Sequence, residues 1–293
     1  GCLKEHITLL YKHLQEQRIH YAEIRCSPAN YAHGERTPWR VLSDILNNFA
    51  QCQKKALDAD LVAPRVNLII IATRQAGGDF RTHISRHLAL AATAAEHWID
   101  ESLPRVVGVD LAGFESKETR AHYFRQDFTA ALRLGLGITI HAGENDDAEG
   151  IWSAILDLNT RRIGHALHLQ KAPTLLRTIA DRRIGIEMCP YANLQIIGFP
   201  LDQAAPDEKT YPLLAYLEAG IPVTINTDNI GISSASLTEN FLLLARLCPG
   251  IKRIHILQLL RHAVDQSFLS SAGRTALVSN LSIPSNQLCI SSN

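Results

Sequence analysis

Seven short stretches of the sequence are apolar and rich in β-branched residues, as are strands covered on both faces. Between them lie longer segments whose apolar positions recur at helical spacing, for example residues 38–57 and 173–183. This alternation predicts βαβ units and a parallel sheet, because neighbouring parallel strands need a crossover connection. The predicted strands are residues 20–27, 65–73, 106–113, 137–144, 162–167, 185–193 and 222–229.

The residues at the strand ends distinguish an open sheet from a closed barrel. An open doubly wound sheet typically carries a glycine-rich phosphate-binding turn after its first strand, and the corresponding stretch here, EIRCSPANYAHG, has none. In a (β/α)8 barrel, polar residues from many strand ends converge on one mouth. The strand runs here carry such residues: Glu23, Arg25, Arg74, Asp110, His141, Glu144, His165, Glu187, Asn193, Asp228 and Asn229. We therefore predict an α/β fold of the (β/α)8 TIM-type barrel class.

Seven strands are one too few for that barrel. Residues 2–19 have the pattern of a helix that leads into the first strand, so the first barrel strand is predicted to be missing from this chain. Residues 1–270 are predicted to form the incomplete barrel. Residues 271–293 are predicted to be a weakly ordered C-terminal tail with one short helix.

The composition is that of an ordinary globular protein, with 46% hydrophobic residues, 20% charged residues and a formal net charge of zero. A clustered basic face, typical of nucleic-acid binders, is lacking, and the arginine pairs at 161–162 and 182–183 are interpreted as solvated helix ends. The six cysteines form no C-x-x-C pair, which favours a reducing compartment. The first residues do not resemble a signal peptide, and no apolar run could span a bilayer. These features predict a soluble, cytoplasmic protein.

Imidazole and carboxylate groups that converge on one mouth are suited to a hydrolase that uses a bound metal as a Lewis acid. Each residue alone has a simpler interpretation. Asp228 could be a turn residue or helix N-cap, and His165 and His168 could pack at the barrel rim. The pair His83 and His87 has i, i+4 spacing but lacks the glutamate of an H-E-x-x-H motif, so it is interpreted as a solvated helix face.

Five motifs in order resemble the adenosine and AMP deaminase family of metal-dependent (β/α)8 hydrolases. They are VVGVDLAGFE, ITIHAGE, RIGHALH, IEMCPYANLQ and VTINTDN, and YAEIRCSP resembles the second strand of that family. The similarity runs from about residue 20 to residue 270. Any one motif is weak evidence, whereas five in the same order are specific.

The resemblance implies a role for each matching residue. His141 corresponds to a zinc ligand, and Glu144 to the acid that protonates N1 of a purine ring. His165 corresponds to the residue that orients and deprotonates the metal-bound water. Asp228 would ligate zinc and accept a hydrogen bond from that water. Gly113 would bring its backbone N–H close to purine N3.

The sequence departs from the family pattern at several positions. The family has an H-x-H pair of zinc ligands on its first strand, and none of the thirteen histidines here forms one. The chain is therefore expected to be a piece of a longer protein or a protein that has lost its metal. Asn229 stands where the family usually has a second aspartate that donates to purine N7, and an amide can still donate there. Ala166 stands where the family usually has a glycine, and Ala192 where it usually has a serine. Both changes are expected to affect substrate specificity more than the class of reaction.

The predicted function is zinc-dependent hydrolytic deamination of a 6-aminopurine nucleoside or nucleotide, with release of ammonia. The expected partner is that small molecule, with no membrane and no clear nucleic-acid surface; a homo-oligomer or larger assembly is left open. Two alternatives stay open: a deaminase-like scaffold without catalysis, and a related barrel amidohydrolase with another substrate. Arg25 and Arg74 could contact a substrate phosphate or could equally be paired structural arginines.

Overall fold

The computed structural model describes residues 2–74, 80–203, 207 and 209–280. Its strands form one parallel sheet in which each strand pairs with the next along the chain. The strands are β1 (Tyr21–Cys26), β2 (Arg65–Arg74), β3 (Val106–Gly113), β4 (Gly137–Ala142), β5 (Arg162–His165), β6 (Gly185–Met188) and β7 (Val223–Ile225). The predicted α/β class and parallel order are thereby confirmed.

Helices connect the strands, as a parallel sheet requires. They are α1 (Cys2–Glu16), α2 (Pro38–Asp58), α3 (Phe80–His97), α4 (Arg125–Arg133), α5 (Ala148–Leu158), α6 (Pro173–Asp181), α7 (Pro190–Ile197), α8 (Leu213–Glu218), α9 (Ile230–Ser233), α10 (Leu237–Leu247), α11 (Arg253–Gln266) and α12 (Ser271–Asn280). No helix in the described part of the chain is both long enough and apolar enough to cross a membrane.

Helix α2 shows how the sequence forms these elements. The side chain of Thr37 caps its first turn by accepting the N–H of Arg40, and Pro38 lies in the first turn, where its missing N–H costs nothing. Its apolar residues recur on one face and are buried: Val41, Leu42, Ile45, Leu46 and Phe49. Each contributes about 1.5–3 kcal/mol by leaving water, which attaches the helix to the core.

The sheet curls far enough to bring distant strands together. Arg25 on β1 forms an ion pair with Glu187 on β6, and Glu23 on β1 pairs with Arg162 on β5 at 2.6 Å. In a flat sheet β1 and β6 would be five strand spacings apart, about 24 Å. The described strands therefore form a TIM-type barrel that lacks one strand, with β1 and β7 as its edges.

Four predicted strands end at least two residues earlier than the sequence pattern suggested, among them the run 162–167, which ends at His165. The run 185–193 leaves the sheet after Met188 because Pro190 begins helix α7. The runs 137–144 and 222–229 leave it after Ala142 and Ile225. Glu144, Asp228 and Asn229 consequently lie in the loops that follow β4 and β7, at the carboxyl end of the sheet.

Two interpretations of basic residues were wrong. His87 is fully buried rather than solvated, because α3 turns that side toward the core, and its Nδ1 donates to the carbonyl of His83 at 2.9 Å. Arg162 is only 5% exposed, because it begins strand β5 inside the barrel instead of ending a helix. The predicted tail begins with helix α12, while residues 281–293 lie outside the described ranges. The division between barrel and tail stays a prediction.

Candidate active site

The carboxyl ends of β4, β5 and β7 bring four of the predicted site residues to one mouth. The ring centroids of His141 and His165 are 5.1 Å apart, and Nδ1 of His165 is 3.5 Å from a carboxylate oxygen of Glu144. A carboxylate oxygen of Asp228 lies within 4.8 Å of a ring nitrogen of His165. The four residues are therefore neighbours, although they are spread over 88 positions of the sequence.

The backbone at this mouth is strained. His165, Ala166 and Asp228 all have positive φ, at 66°, 50° and 54°. A non-glycine residue costs about 1–2 kcal/mol in this left-handed region. Positive φ outside the mouth includes residues that end helices, such as Asn159 after α5. These three instead lie at the end of a strand or in the loop after it. Such strain is concentrated at functional sites, where the surrounding structure maintains it.

The loop that carries Glu144 is fixed by a buried acid that the sequence reasoning did not single out. The Oε2 atom of Glu115 accepts the N–H groups of Gly143 at 2.9 Å and Asp146 at 3.1 Å. Gly143 has φ of 74°, and an added Cβ would lie 2.5 Å from the side chain of Ile151, so only glycine fits this turn. Glu115 lies within the quoted motif VVGVDLAGFE, but the motif alone did not reveal its role.

Glu144 has the properties of a general acid. Its side chain is 12% exposed, and its Oε1 atom has no hydrogen-bond partner among the described residues. Burial raises the pKa of Glu144 to about 7, and the charges of Glu115 and Asp228 add to that rise against the opposing effect of His141. A carboxyl with this pKa holds a proton near neutral pH and can deliver it to a substrate.

His141 is held by a buried aspartate on the neighbouring strand. Its Nδ1 is 3.1 Å from Oδ1 of Asp110, which is fully buried on β3 and also accepts from Arg25 at 2.9 Å. Burial alone would raise the pKa of Asp110, but the charges of His141 and Arg25 lower it to about 2. Burial lowers the pKa of His141, yet the charge and hydrogen bond of Asp110 outweigh it and the pKa is raised.

His165 has a different environment. It is 2% exposed, and its Nδ1 is 2.9 Å from the amide nitrogen of Asn193. Burial, together with the charges of His141 and Arg25, lowers the pKa of His165 to about 3. His165 is therefore neutral at ordinary pH.

Two of the predicted residues contact neither the histidines nor Glu144 through any hydrogen bond or ion pair of the described residues. Gly113 has φ of 91°, and a Cβ there would lie 2.2 Å from the carbonyl oxygen of Arg74, so the backbone itself requires glycine. Asn229 is exposed and precedes helix α9, whose residues Ile232 and Ser233 donate to its carbonyl. Both lie at the carboxyl ends of their strands.

Beneath the mouth, the charges of the barrel interior are paired. Arg25 contacts Asp110 and Glu187, and Arg162 contacts Glu187 at 2.7 Å and Glu23 at 2.6 Å. Thr139 also donates to Glu187 at 2.9 Å. We call Arg25, Asp110, Thr139, Arg162, Glu187 and Glu23 the barrel floor.

Arg25 is paired with Asp110 and Glu187, whereas Arg74 is held by backbone carbonyls. Arg74 is 4% exposed and donates to the carbonyl of His141 at 2.7 Å. This bond supports the end of β4, from which His141 extends.

The donor groups at the mouth fit a zinc ion, which takes nitrogen, sulfur and oxygen ligands. The carboxylate at Nδ1 of His141 is the usual support of a zinc-binding histidine, because it leaves Nε2 to bind the metal. A second set, His165, Cys189 and Asp228, has its ligand atoms within 4.8 Å of one another. Asp228 belongs to both possible sets of zinc ligands, the one with His141 and the one with His165 and Cys189.

Comparison with known proteins agrees with the fold. The family model described as "Adenosine deaminase" matches residues 7–283. The adenosine deaminase of Haemophilus ducreyi is 30% identical over 282 residues, which cover 95% of this chain and 75% of that protein.

Solved structures are similar at lower identity. An amidohydrolase from Burkholderia ambifaria with bound zinc has a TM-score of 0.74 at 16% identity, over 94% of this chain and 71% of that one. Arabidopsis ADAL complexed with GMP has a TM-score of 0.74 at 19% identity, over 95% of this chain and 76% of that one. These identities bear on the fold alone. From the family match and the relative from Haemophilus ducreyi together, the chain belongs to the adenosine deaminase family of hydrolases acting on C–N bonds.

Proposed function

We propose that this protein is a zinc-dependent deaminase that converts a 6-aminopurine nucleoside or nucleotide to its 6-oxo product and releases ammonia. The observation that carries the proposal is the Glu144 carboxyl, which has a pKa raised to about 7 and an oxygen without a hydrogen-bond partner. It lies at a mouth that also contains His141, His165 and Asp228. An acid that keeps its proton near neutral pH suits the protonation of a ring nitrogen.

His141 and Asp228 would supply two of the three or more protein ligands that a catalytic zinc ion takes. When bound, zinc lowers the pKa of a water molecule to about 7 and so supplies a nucleophile at neutral pH. Asp110 supports this role, since its ionised carboxylate keeps the proton of His141 on Nδ1. The relative from Burkholderia ambifaria, whose structure has bound zinc, is consistent with this choice of metal.

The chemistry assigned to the chain's own residues is proton transfer around purine C6. Glu144 donates its proton to N1 as a C6–O bond forms with water oxygen. His165 orients that water, and Asp228 accepts a hydrogen bond from it. The proton that the attacking water loses passes through Asp228 to the amino group, and the C6–N bond breaks with release of ammonia. The hydroxyl proton that remains on the oxygen at C6 then returns to Glu144, which leaves the 6-oxo product.

Gly113 and Asn229 are proposed to recognise the base. The backbone N–H of Gly113 would donate to purine N3, because no side chain blocks the approach. The side-chain amide of Asn229 would donate to N7 without needing a raised pKa. The GMP bound to the Arabidopsis relative is a purine nucleotide, which is consistent with a purine ligand here.

A direct assay distinguishes this function from its alternatives. The protein is incubated with adenosine, AMP and adenine, in the presence of added zinc and after removal of metal by a chelator, and ammonia release is measured. We expect zinc-dependent release of ammonia from adenosine, from AMP or from both. A non-catalytic scaffold would release no ammonia under either condition. Conversion of adenine alone would contradict the proposed substrate class.

Elemental analysis tests the metal separately. Active protein is expected to contain about one zinc per chain, and a His141→Ala variant is expected to lose it. Active protein without stoichiometric metal would contradict the assignment.

A further inference from the structure

The side-chain amide of Asn193 has a fixed orientation. Its Oδ1 accepts the backbone N–H of Cys189 at 3.1 Å and the hydroxyl of Tyr211 at 2.9 Å. A backbone N–H can only donate, so the atom facing it must be the amide oxygen. Asn193 and Tyr211 are both buried, which leaves neither contact to water.

This orientation determines where His165 carries its proton. The amide nitrogen of Asn193 lies 2.9 Å from Nδ1 of His165, and an amide nitrogen can only donate. Nδ1 must then accept, and the single proton of the neutral ring is on Nε2. Oε1 of Glu144 lies 3.5 Å from the same Nδ1 but has no hydrogen-bond partner, so the contact from Asn193 decides the tautomer.

His141 has the opposite tautomer. Its Nδ1 faces Asp110, whose ionised carboxylate can only accept, so Nδ1 carries the proton and Nε2 has the lone pair when the ring is neutral. Two imidazole rings 5.1 Å apart therefore present opposite chemistry. His141 can bind a cation through Nε2, whereas Nε2 of His165 is a hydrogen-bond donor.

We propose that Asn193, held by Tyr211 and the backbone of Cys189, is a positioning residue that keeps His165 in its Nε2–H tautomer. His165 then donates a hydrogen bond to the oxygen that attacks the substrate. Asp228 takes the proton of that oxygen, instead of His165 as the family resemblance implied. The catalytic part of this inference rests on the proposed function, whereas the tautomer depends only on the contacts of Asn193.

The tautomer of His165 also decides between the two possible sets of metal ligands. His165, Cys189 and Asp228 lie close enough to resemble a metal site. In the Nε2–H tautomer, however, neither nitrogen of His165 has a free lone pair, because Nδ1 accepts from Asn193. Burial moreover raises the pKa of the Cys189 thiol well above its ordinary value, which disfavours the thiolate that binds metals. His165 is thereby assigned to the substrate rather than to the metal.

Nitrogen-15 NMR of the protein labelled with 15N-histidine tests the tautomer directly, with a His165→Gln variant to identify the resonances. In the wild-type protein we expect a protonated Nε2 and an unprotonated Nδ1 at His165. An Asn193→Asp variant presents a carboxylate that can only accept, so the proton is expected to move to Nδ1. A protonated Nδ1 in the wild type, or an unchanged tautomer in Asn193→Asp, would overturn the proposal.

Measurements of kcat and KM distinguish a positioning role of Asn193 from a purely structural one. Asn193→Asp is expected to lower kcat by about 10²–10³, as does the loss of one donor to a developing oxyanion, while KM changes less than about threefold. Tyr211→Phe keeps the amide donor and the Cys189 bond, so its loss of kcat should be much smaller and its tautomer unchanged. If Asn193→Asp moves the proton to Nδ1 yet keeps wild-type kcat, the donor role of His165 is overturned.

Asn67→Asp is a matched control for the burial of a new carboxylate. Asn67 is also fully buried, and it contacts Tyr21 and the backbone of Arg105 at the other end of the sheet. It is expected to lower the melting temperature without changing the His165 resonances. If it changed them as Asn193→Asp does, the proposal would fail. A wild-type protein with the assigned tautomers but no deaminase activity would support the hydrogen-bond assignment and contradict the proposed function instead.

Discussion

The barrel floor and the mouth above it contain the same kinds of side chain in opposite conditions. On the floor, Glu187 contacts two arginines and a threonine, and its pKa is lowered despite burial. At the mouth, Glu144 has an oxygen without a hydrogen-bond partner, and burial raises its pKa to about 7. An acidic residue on a strand or at its end is therefore not sufficient evidence of a catalytic group. The acid to which we assign proton transfer is the one that the fold buries without an arginine partner.

Backbone geometry shows the same contrast. The floor residues lie on regular strands in register, for example Asp110 opposite Thr139 and Thr139 opposite Arg162. At the mouth, His165 and Asp228 adopt positive φ. The floor therefore stabilises the barrel, and the mouth carries strain that the barrel has to support.

The largest effect is expected from a change on the floor. Glu187→Gln removes the carboxylate shared by Arg25 and Arg162 and leaves each arginine with one acidic partner instead of two. Breaking buried ion pairs costs about 3–5 kcal/mol of unfolding free energy. Urea denaturation measures this loss. The control is Asp202→Asn, which breaks a 2.8 Å pair with Arg246 in which both side chains are more than half exposed; such a pair contributes about 0–1 kcal/mol. Equal losses for the two variants would contradict the role of the floor.

Substitutions at the mouth should change catalytic activity rather than stability. Glu144→Gln keeps the shape but cannot donate the proton, so turnover is expected to fall by at least roughly 10². The exposed Glu149, on the next helix, offers a control: Glu149→Gln should keep wild-type turnover. Near wild-type turnover of Glu144→Gln would rule out the acid role.

The stability of the same variant has a predictable pH dependence in metal-free protein. Because the folded pKa of Glu144 is raised from 4.5 to about 7, its contribution to wild-type stability is fully present below about pH 4.5 and is lost as the pH rises through about 7. Gln does not titrate, so this part of the slope should be absent from Glu144→Gln. Identical slopes for the two proteins would count against the raised pKa.

A smaller effect is expected from Asn229. If it donates to purine N7, a 7-deaza substrate leaves a buried amide unpaired in the complex, which costs about 1–3 kcal/mol. That corresponds to a loss of kcat/KM of roughly ten- to a hundredfold. The loss should be constant between about pH 5 and 8 for Asn229, since an amide does not titrate, whereas Asn229→Asp should lose the discrimination as its acid ionises. Equal kcat/KM for both substrates in the Asn229 protein would show that it does not recognise N7.

Much of the fold could be predicted from the sequence because hydrophobic periodicity reports burial locally. All seven strands were located in the correct order, and helix α2 was predicted to within one residue at its end. The errors came where a local signal was overlooked or a partner was remote. Pro190 marks a helix start that the apolar run 185–193 obscured. The burial of Arg162 depends on Glu23, 139 positions away, which no local pattern contains.

The site was predictable only in part for the same reason. The strand-end pattern indicated His141, Glu144, His165 and Asp228, and the structure brings them together. The contact between Asn193 and His165 joins residues 28 positions apart through a helix start that was predicted as strand. Tautomers in particular follow from three-dimensional donor and acceptor geometry, so the sequence could suggest the histidines but not how they differ.

The most direct test of the contrast between floor and mouth is the titration of Glu144 itself. Carbon-13 NMR of metal-free protein labelled at the glutamate side-chain carboxyl would give its midpoint, with Glu144→Gln used to identify the resonance. The account predicts a midpoint near pH 7 for Glu144 and a Glu187 resonance that stays ionised below the ordinary glutamate range. A Glu144 midpoint near its ordinary value of 4.5 would contradict the central claim that the mouth keeps a protonated acid ready for the substrate.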